Sequence, residues 1–280
     1  MRRSFLRGVF VLLLAVPAIF AQEPKHFQPG FNLFSKEQDI QLGQENAAQV
    51  RKQMPMVTDP FLLDYVNRVG KRLANSQEAR DSGFPFTFEV VADPSINAFA
   101  LPGGPMFINT GLLKAVDNEA QLAGVMGHEM SHVILRHGTN QASKAEFIQL
   151  PAVLAAQMTG SSMAGKLAQM GIGLGANSVL LKFSRTDESQ ADITGSHIMA
   201  EAGYNPIEMA RFFEKLSAKG GQGVPQFFSD HPNPDNRQQA IEQEVRALPK
   251  QNYGYETGQF QRMKEVVSKI HEPAPKKPVQ

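Results

Sequence analysis

Two histidines four residues apart, with a glutamate directly after the first, give the pattern His128-Glu129-Met130-Ser131-His132. On a helix this spacing turns both imidazoles to one face, about one turn apart, so that both can reach a single ion. Glu129 then sits beside that ion without ligating it and can take a proton from a water there. The bland alternative is two surface histidines on an amphipathic helix. Leu122, Val125, Met126, Val133, Ile134 and Leu135 argue against it, because they place the segment in a core. Burying two imidazoles and a carboxylate without partners is costly, and a metal removes that cost.

Catalytic zinc needs a third protein ligand and one open position. A metzincin would continue with glycine at 135 and histidine at 138, but Leu135 and Gly138 stand there. That branch is excluded. Downstream, Glu188 and Asp192 form an acid pair four apart. Glu188 can complete a His₂Glu site, and Asp192, one turn on, can accept the outer N–H of a histidine ligand and fix its tautomer. An acid pair alone is usually a solvated helix face. Beside the first motif, and within Ser184-Arg185-x-x-Glu188-x-x-Ala191-Asp192, it reads as the other half of a metal site. The expectation is one Zn²⁺ per chain on His128, His132 and Glu188, with Glu129 as the proton shuttle. There is no cysteine, which excludes thiol catalysis, cysteine metal ligands, disulfides and a lipidated cysteine anchor.

The elements that must position these groups are legible in part. Ser35, with Gln38 three residues on, signals a helix reaching about Gln53. Asp59-Pro60 opens a second, with Leu62, Leu63, Val66 and Val69 at helical spacing. Residues 86–92 alternate as a strand, and Asn97–Leu101 and Met106–Asn109 give two more around the Pro102-Gly103-Gly104-Pro105 turn. The His128 helix should run from a cap at Asp117 or Asn118 to a stop at Gly138. Another should run from Ser184 to Gly203, and Asn205-Pro206-x-Glu208 should cap the next as cap, proline at N1 and glutamate at N3. Residues 220–228 read as loop, Asn233-Pro234 as a further cap, and a last amphipathic helix reaches about Leu248. Residues 140–183 are rich in Ala, Gly, Met and Leu; their uncharged stretch 147–165 is too polar to span a bilayer and too apolar for a plain loop. We expect two helices there, forming a lid or flap over the cleft. The fold class is α/β (α+β): a mostly helical, zincin-like single domain with a small mixed sheet above the His128 helix.

At the N-terminus, Arg2, Arg3 and Arg7 precede the apolar run 9–20 and a small residue, Ala21. This reads as an export signal over 1–21, too short to span a bilayer as a helix. An extended lead-in follows over 22–34, then the peptidase domain over 35–250 and a C-terminal tail over 251–280, disordered at its end. With those arginines removed from 28 bases, 25 face 27 acids. Near neutrality leaves no electrostatic footprint for nucleic acid.

Several stretches together resemble one family: Asn97-Ala98-Phe99-Ala100-Leu101-Pro102-Gly103-Gly104, Asn109-Thr110-Gly111-Leu112, Gly127-His128-Glu129-x-x-His132, Ser184-Arg185 through Asp192, and His231-Pro232 with Arg237. They span residues 36–248 and are similar to gluzincin zinc peptidases of the CAAX prenyl protease and HtpX type, in their soluble bacterial envelope branch of BepA-like and LoiP-like enzymes. The resemblance implies a periplasmic zinc endopeptidase acting on unfolded or misassembled envelope proteins, with peripheral contact to the membrane or outer-membrane assembly machinery. It implies a role for His231, either as a donor to the oxyanion with Arg237 behind it or as a plug in the open zinc position. It also implies that the strand at Asn97, Ala98 and Phe99 pairs with extended substrate; these three, with Arg237, are the expected substrate-binding residues. No tetratricopeptide array follows the domain as in BepA-like members, so their partner docking is not transferred. The competing class is an envelope chaperone or assembly factor with a latent zinc site, although such a binder would have no need of Glu129. His26, His137, His197 and His271 show no partner pattern and are read as structural.

Overall fold

The computed structural model describes residues 23–145, 183–218, 226–232 and 236–273. The expected signal over 1–21 and the lid, apart from its ends, lie outside the described residues. Helix α1 (Lys36–Gln53) opens on a full capping box: Ser35 accepts from the Gln38 N–H, and the Gln38 side chain accepts from the Ser35 N–H. Helix α2 (Pro60–Leu73) is capped by Asp59, which accepts from Leu62 N at 2.9 Å. Its Leu62, Tyr65, Val66, Val69 and Leu73, at helical spacing, are fully buried. A short α3 (Gln77–Ser82) follows, ended by Gly83 at φ 72°.

Strands β1 (Thr87–Val91), β2 (Ala98–Ala100) and β3 (Pro105–Asn109) form a sheet in the order β1-β3-β2. β1 runs parallel to β3 and β2 antiparallel to it, with Phe99 opposite Phe107. Residues 55–57 cover the outer side of β1, through Val57 N to Val90 O and Ala92 N to Pro55 O. Among the described residues β2 has one partner strand, β3, and is an edge. Its Ala98 is buried, while Phe99 and Ala100 are half-buried.

After α4 (Thr110–Ala115) comes α5 (Glu119–Ile134), capped by Asn118, which accepts from Gln121 N at 2.9 Å. Glu119, in its first turn, is wholly buried and accepts from Tyr65 Oη at 3.0 Å, Tyr204 Oη at 2.9 Å and Thr257 N at 2.9 Å. Burial, with the Glu119 charge beside them, pushes both phenols far above their usual range, so they stay donors. The helix was expected to stop at Gly138 and stops earlier. Arg136 turns at φ 56°, held by Asp39 Oδ2 (2.6 Å) and Phe34 O (2.6 Å), and residues 137–145 resume as helix. The tertiary ion pair outweighs the local signal of Gly138.

Helix α6 (Arg185–Glu201) has Ser184 and Asp187 as its capping box. Next come α7 (Ile207–Ala218), α8 (Gln226–Asp230), α9 (Arg237–Ala247) and α10 (Phe260–Ser268). Asn205 Oδ1 does accept from Ile207 N at 3.1 Å. Glu208, expected to close that cap, instead accepts from Asn118 Nδ2 at 2.7 Å and ties α7 to the start of α5. Residues 226–228, expected as loop, are helical within α8, and α10 sends Phe260, Met263 and Val267 into the main core.

α5 packs chiefly on α6, with α7 and β2 on other sides. The two helices touch at Gly127 and Gly195. A Cβ on Gly195 would stand 3.1 Å from His128 N and 3.2 Å from Gly127 C. The missing side chains let the backbones close, which brings His128 within reach of Glu188 and Asp192.

Candidate metal centre

α5 supplies His128, Glu129 and His132, α6 supplies Glu188 and Asp192, and His231 and Arg237 flank the start of α9. All seven side chains are buried. One ligating atom from each of His128, His132, Glu188 and His231 lies within 4.8 Å of the other three. His128 Nε2 is 3.1 Å from His132 Nε2 and 3.3 Å from Glu188 Oε2, and His132 Nε2 is 3.4 Å from Glu188 Oε1. His231 Nδ1 completes the group, 3.3 Å from His128 Nε2 and 3.0 Å from Glu188 Oε1.

The hydrogen bonds behind these atoms set which nitrogen faces the centre. Asp192 Oδ1 lies 2.9 Å from His128 Nδ1 and accepts its proton, turning Nε2 inward. On His132 the same part is played by His137, whose Nδ1 is 3.0 Å from His132 Nδ1. Gln190 Oε1 accepts from His137 Nε2 at 3.1 Å, which leaves His137 Nδ1 as the acceptor. Burial depresses His137, and His132 more strongly, so both imidazoles are neutral near pH 7. Arg237 closes the back, donating from Nε to Asp192 Oδ2 at 2.6 Å and from Nη2 to Glu188 Oε2 at 2.7 Å, with its guanidinium over the Phe213 ring. Burial opposes the charge on Glu188, but His128 and the other donors around it hold its carboxyl far below the usual range. Burial likewise opposes a charge on His128, but Glu188 and Asp192 outweigh it and raise that imidazole.

The cluster therefore calls for positive charge at its middle. Nitrogen and carboxylate donors with no sulfur suit zinc. Zinc bonds of about 2.0–2.1 Å imply tetrahedron edges of about 3.3 Å. The distances of 3.0 to 3.4 Å between the donor atoms fit such an ion.

The three ligands expected from sequence, His128, His132 and Glu188, are all in this cluster, and Asp192 stands behind His128. Glu129 lies beside it, with Oε1 3.3 Å from His231 Nε2. His231 stands at the fourth corner and stacks on Phe227, ring centroids 4.6 Å apart. Arg237 lies behind the ligands, against Glu188 and Asp192. Asn97 is buried at the start of β2, and Phe99 stacks on Phe107 at 5.2 Å. His137 escaped the sequence reading, because its link to His132 crosses the helix break at Arg136. Phe183 escaped it too, with its ring centroid 3.9 Å from that of His132.

The sequence profile of peptidase family M48 matches residues 62–245. Over 207 residues the chain is 33% identical to the beta-barrel assembly-enhancing protease of Escherichia coli (strain K12), covering 71% of this chain and 42% of that protein. It is 32% identical over 181 residues to the mitochondrial metalloendopeptidase OMA1 of Schizosaccharomyces pombe, covering 64% of this chain and 52% of that one. For OMA1 of Saccharomyces cerevisiae the identity is 33% over 182 residues, covering 62% and 50%. The chain thus spans about half the length of these relatives, or less. The matched span holds all four residues of the buried cluster together with Glu129, Asp192 and Arg237, and the chain belongs to peptidase family M48.

Proposed function

We propose that this chain is a zinc-dependent endopeptidase of the cell envelope, hydrolysing peptide bonds of unfolded or misassembled proteins. The observation that carries this reading is the buried cluster of His128, His132 and Glu188 with Glu129 at its edge. The first three would hold the metal. Zinc bound there supplies a Lewis acid that polarises water and a scissile carbonyl. Glu129 takes a proton from the attacking water on its carboxylate and returns it to the leaving amine nitrogen. Asp192 and His137 keep the two ligating imidazoles in the correct tautomer. The side of β2 left unpaired among the described residues, at Phe99 and Ala100, would offer backbone groups to an extended substrate, which gives affinity with little sequence preference.

The basic and apolar start of the chain, and relatives named for β-barrel assembly, support export to the periplasm. Among the described residues no helix is long and apolar enough to cross a membrane. A substrate trap tests the role. Glu129→Gln expressed in cells should retain misassembled envelope proteins that the active chain releases as fragments. Recovery of only native, folded partners, equally with both forms, would favour a chaperone over a protease.

The position of His231 favours a second reading, a latent state of the same site. Its Nδ1 stands where the open position of a catalytic zinc is needed, and its Nε2 engages the Glu129 carboxylate. His231→Ala is therefore expected to raise basal proteolysis of casein. A fall in kcat of roughly a hundredfold would instead make His231 an oxyanion donor. His137 is a positioning residue in this scheme. His137→Ala should weaken zinc binding by about 10–100-fold, while a side chain that keeps an acceptor in place, as in His137→Asn, restores part of it. Zinc affinity measured by competition with a chromophoric chelator checks this, and an unchanged affinity would return His137 to a packing role.

A further inference from the structure

A second group of potential ligands lies on the other side of α6. Nine residues separate His197 from Glu188, which at about 100° per residue places it half a turn away around the helix. His197 is buried, and its two nitrogens meet two carboxylates: Nδ1 is 3.2 Å from Glu78 Oε1 on α3, and Nε2 is 2.8 Å from Glu244 Oε1 on α9. His26, from the lead-in, brings its ring edge-on to His197 with centroids 5.3 Å apart. A ring nitrogen of His26, a carboxylate oxygen of Glu78 and a ring nitrogen of His197 all lie within 4.8 Å of one another.

We propose that His26, Glu78 and His197 form a second zinc site, with the Glu244 carboxylate holding His197 in its ligating tautomer. Glu244 accepts the proton of His197 Nε2 and so frees Nδ1 to face Glu78 and His26. This is the relation that Asp192 has to His128 in the first centre, a carboxylate behind a ligating imidazole. One observation besides the spacing points to a cation. Glu78 Oε2 and Glu244 Oε2 are buried oxygens without a hydrogen-bond partner. Glu244 Oε1 already accepts from Lys25 N at 2.7 Å, which aligns the lead-in with the site. Two imidazole nitrogens and a carboxylate are a donor set that zinc accepts. His26 is exposed, so the ion exchanges with solvent and water completes its shell. The site would staple the lead-in to α3 and α6, elements that are distant in sequence.

The rival account needs no metal: a charged His197 shared between Glu78 and Glu244, with His26 a bystander. Metal content separates the two. The purified protein, stripped by chelator and dialysed against micromolar zinc, is expected to hold two zinc ions per chain by elemental analysis. His26→Ala, a change at an exposed side chain, should hold one, and Glu78→Gln should also hold one. His132→Ala should keep the second ion while losing the first, so a failure of the peptidase site is read separately. A wild-type content of one, or two ions remaining in His26→Ala, overturns the second site.

Discussion

Glu129→Gln is expected to bind zinc as tightly as the natural chain while kcat on casein falls by about 10²–10⁴-fold. The amide is nearly isosteric with the carboxylate and leaves His128, His132 and Glu188 untouched, so it removes a proton acceptor but no ligand. Glu129 is buried in the last half of α5, one residue from a ligand, and its carboxylate lies 3.3 Å from His231 Nε2. An amide there cannot take the proton of the attacking water or deliver it to the leaving nitrogen. KM should change little, because the loss falls on the transition state. Single-turnover kinetics with zinc content measured on the same sample check this. Full turnover in the variant would remove Glu129 from the chemistry.

Arg237→Ala should be the most destabilising single change in the site. With zinc bound, its two positive charges and the one of Arg237 would balance the buried carboxylates of Glu129, Glu188 and Asp192. The guanidinium meets two of them at once, in the forked geometry that lysine cannot copy. Removing one partner from a buried ion-pair network costs about 3–5 kcal/mol, because the other charges stay buried. The lost contact with Phe213 adds to this. Urea unfolding of the zinc-loaded protein should show that loss, with Arg237→Lys in between. A change within about 0.5 kcal/mol would place Arg237 among ordinary surface positions.

What was legible in the sequence is what local chemistry dictates. Ser35 with Gln38, Asp59 with Pro60, Asp117 or Asn118, and Ser184 are read as helix starts from their own side chains, and the helices begin there, with Asn118 as the cap of α5. The two halves of the buried cluster were legible for the same reason: each is a spacing on one helix. Contacts made across the fold were not. Arg136 takes a left-handed turn because Asp39 and Phe34, about a hundred residues earlier, hold its side chain. Glu208 had the place of a cap residue, but Asn118 recruits it. Helix α10 becomes stable only once Phe260, Met263 and Val267 find the core. His137 is the instructive miss. Its value lies in the neighbour it acquires when the chain breaks and restarts, and no spacing along one helix encodes that.

A metal in the buried cluster would make the chain a peptidase, and peptide release from casein tests this most directly. The purified protein, and His231→Ala in parallel, are assayed as prepared, after exhaustive chelation and after zinc is restored. Chelation is expected to stop peptide release and zinc to restore it, with greater release in His231→Ala than in the natural chain. Release that survives chelation, or none from either protein with zinc present, would contradict it.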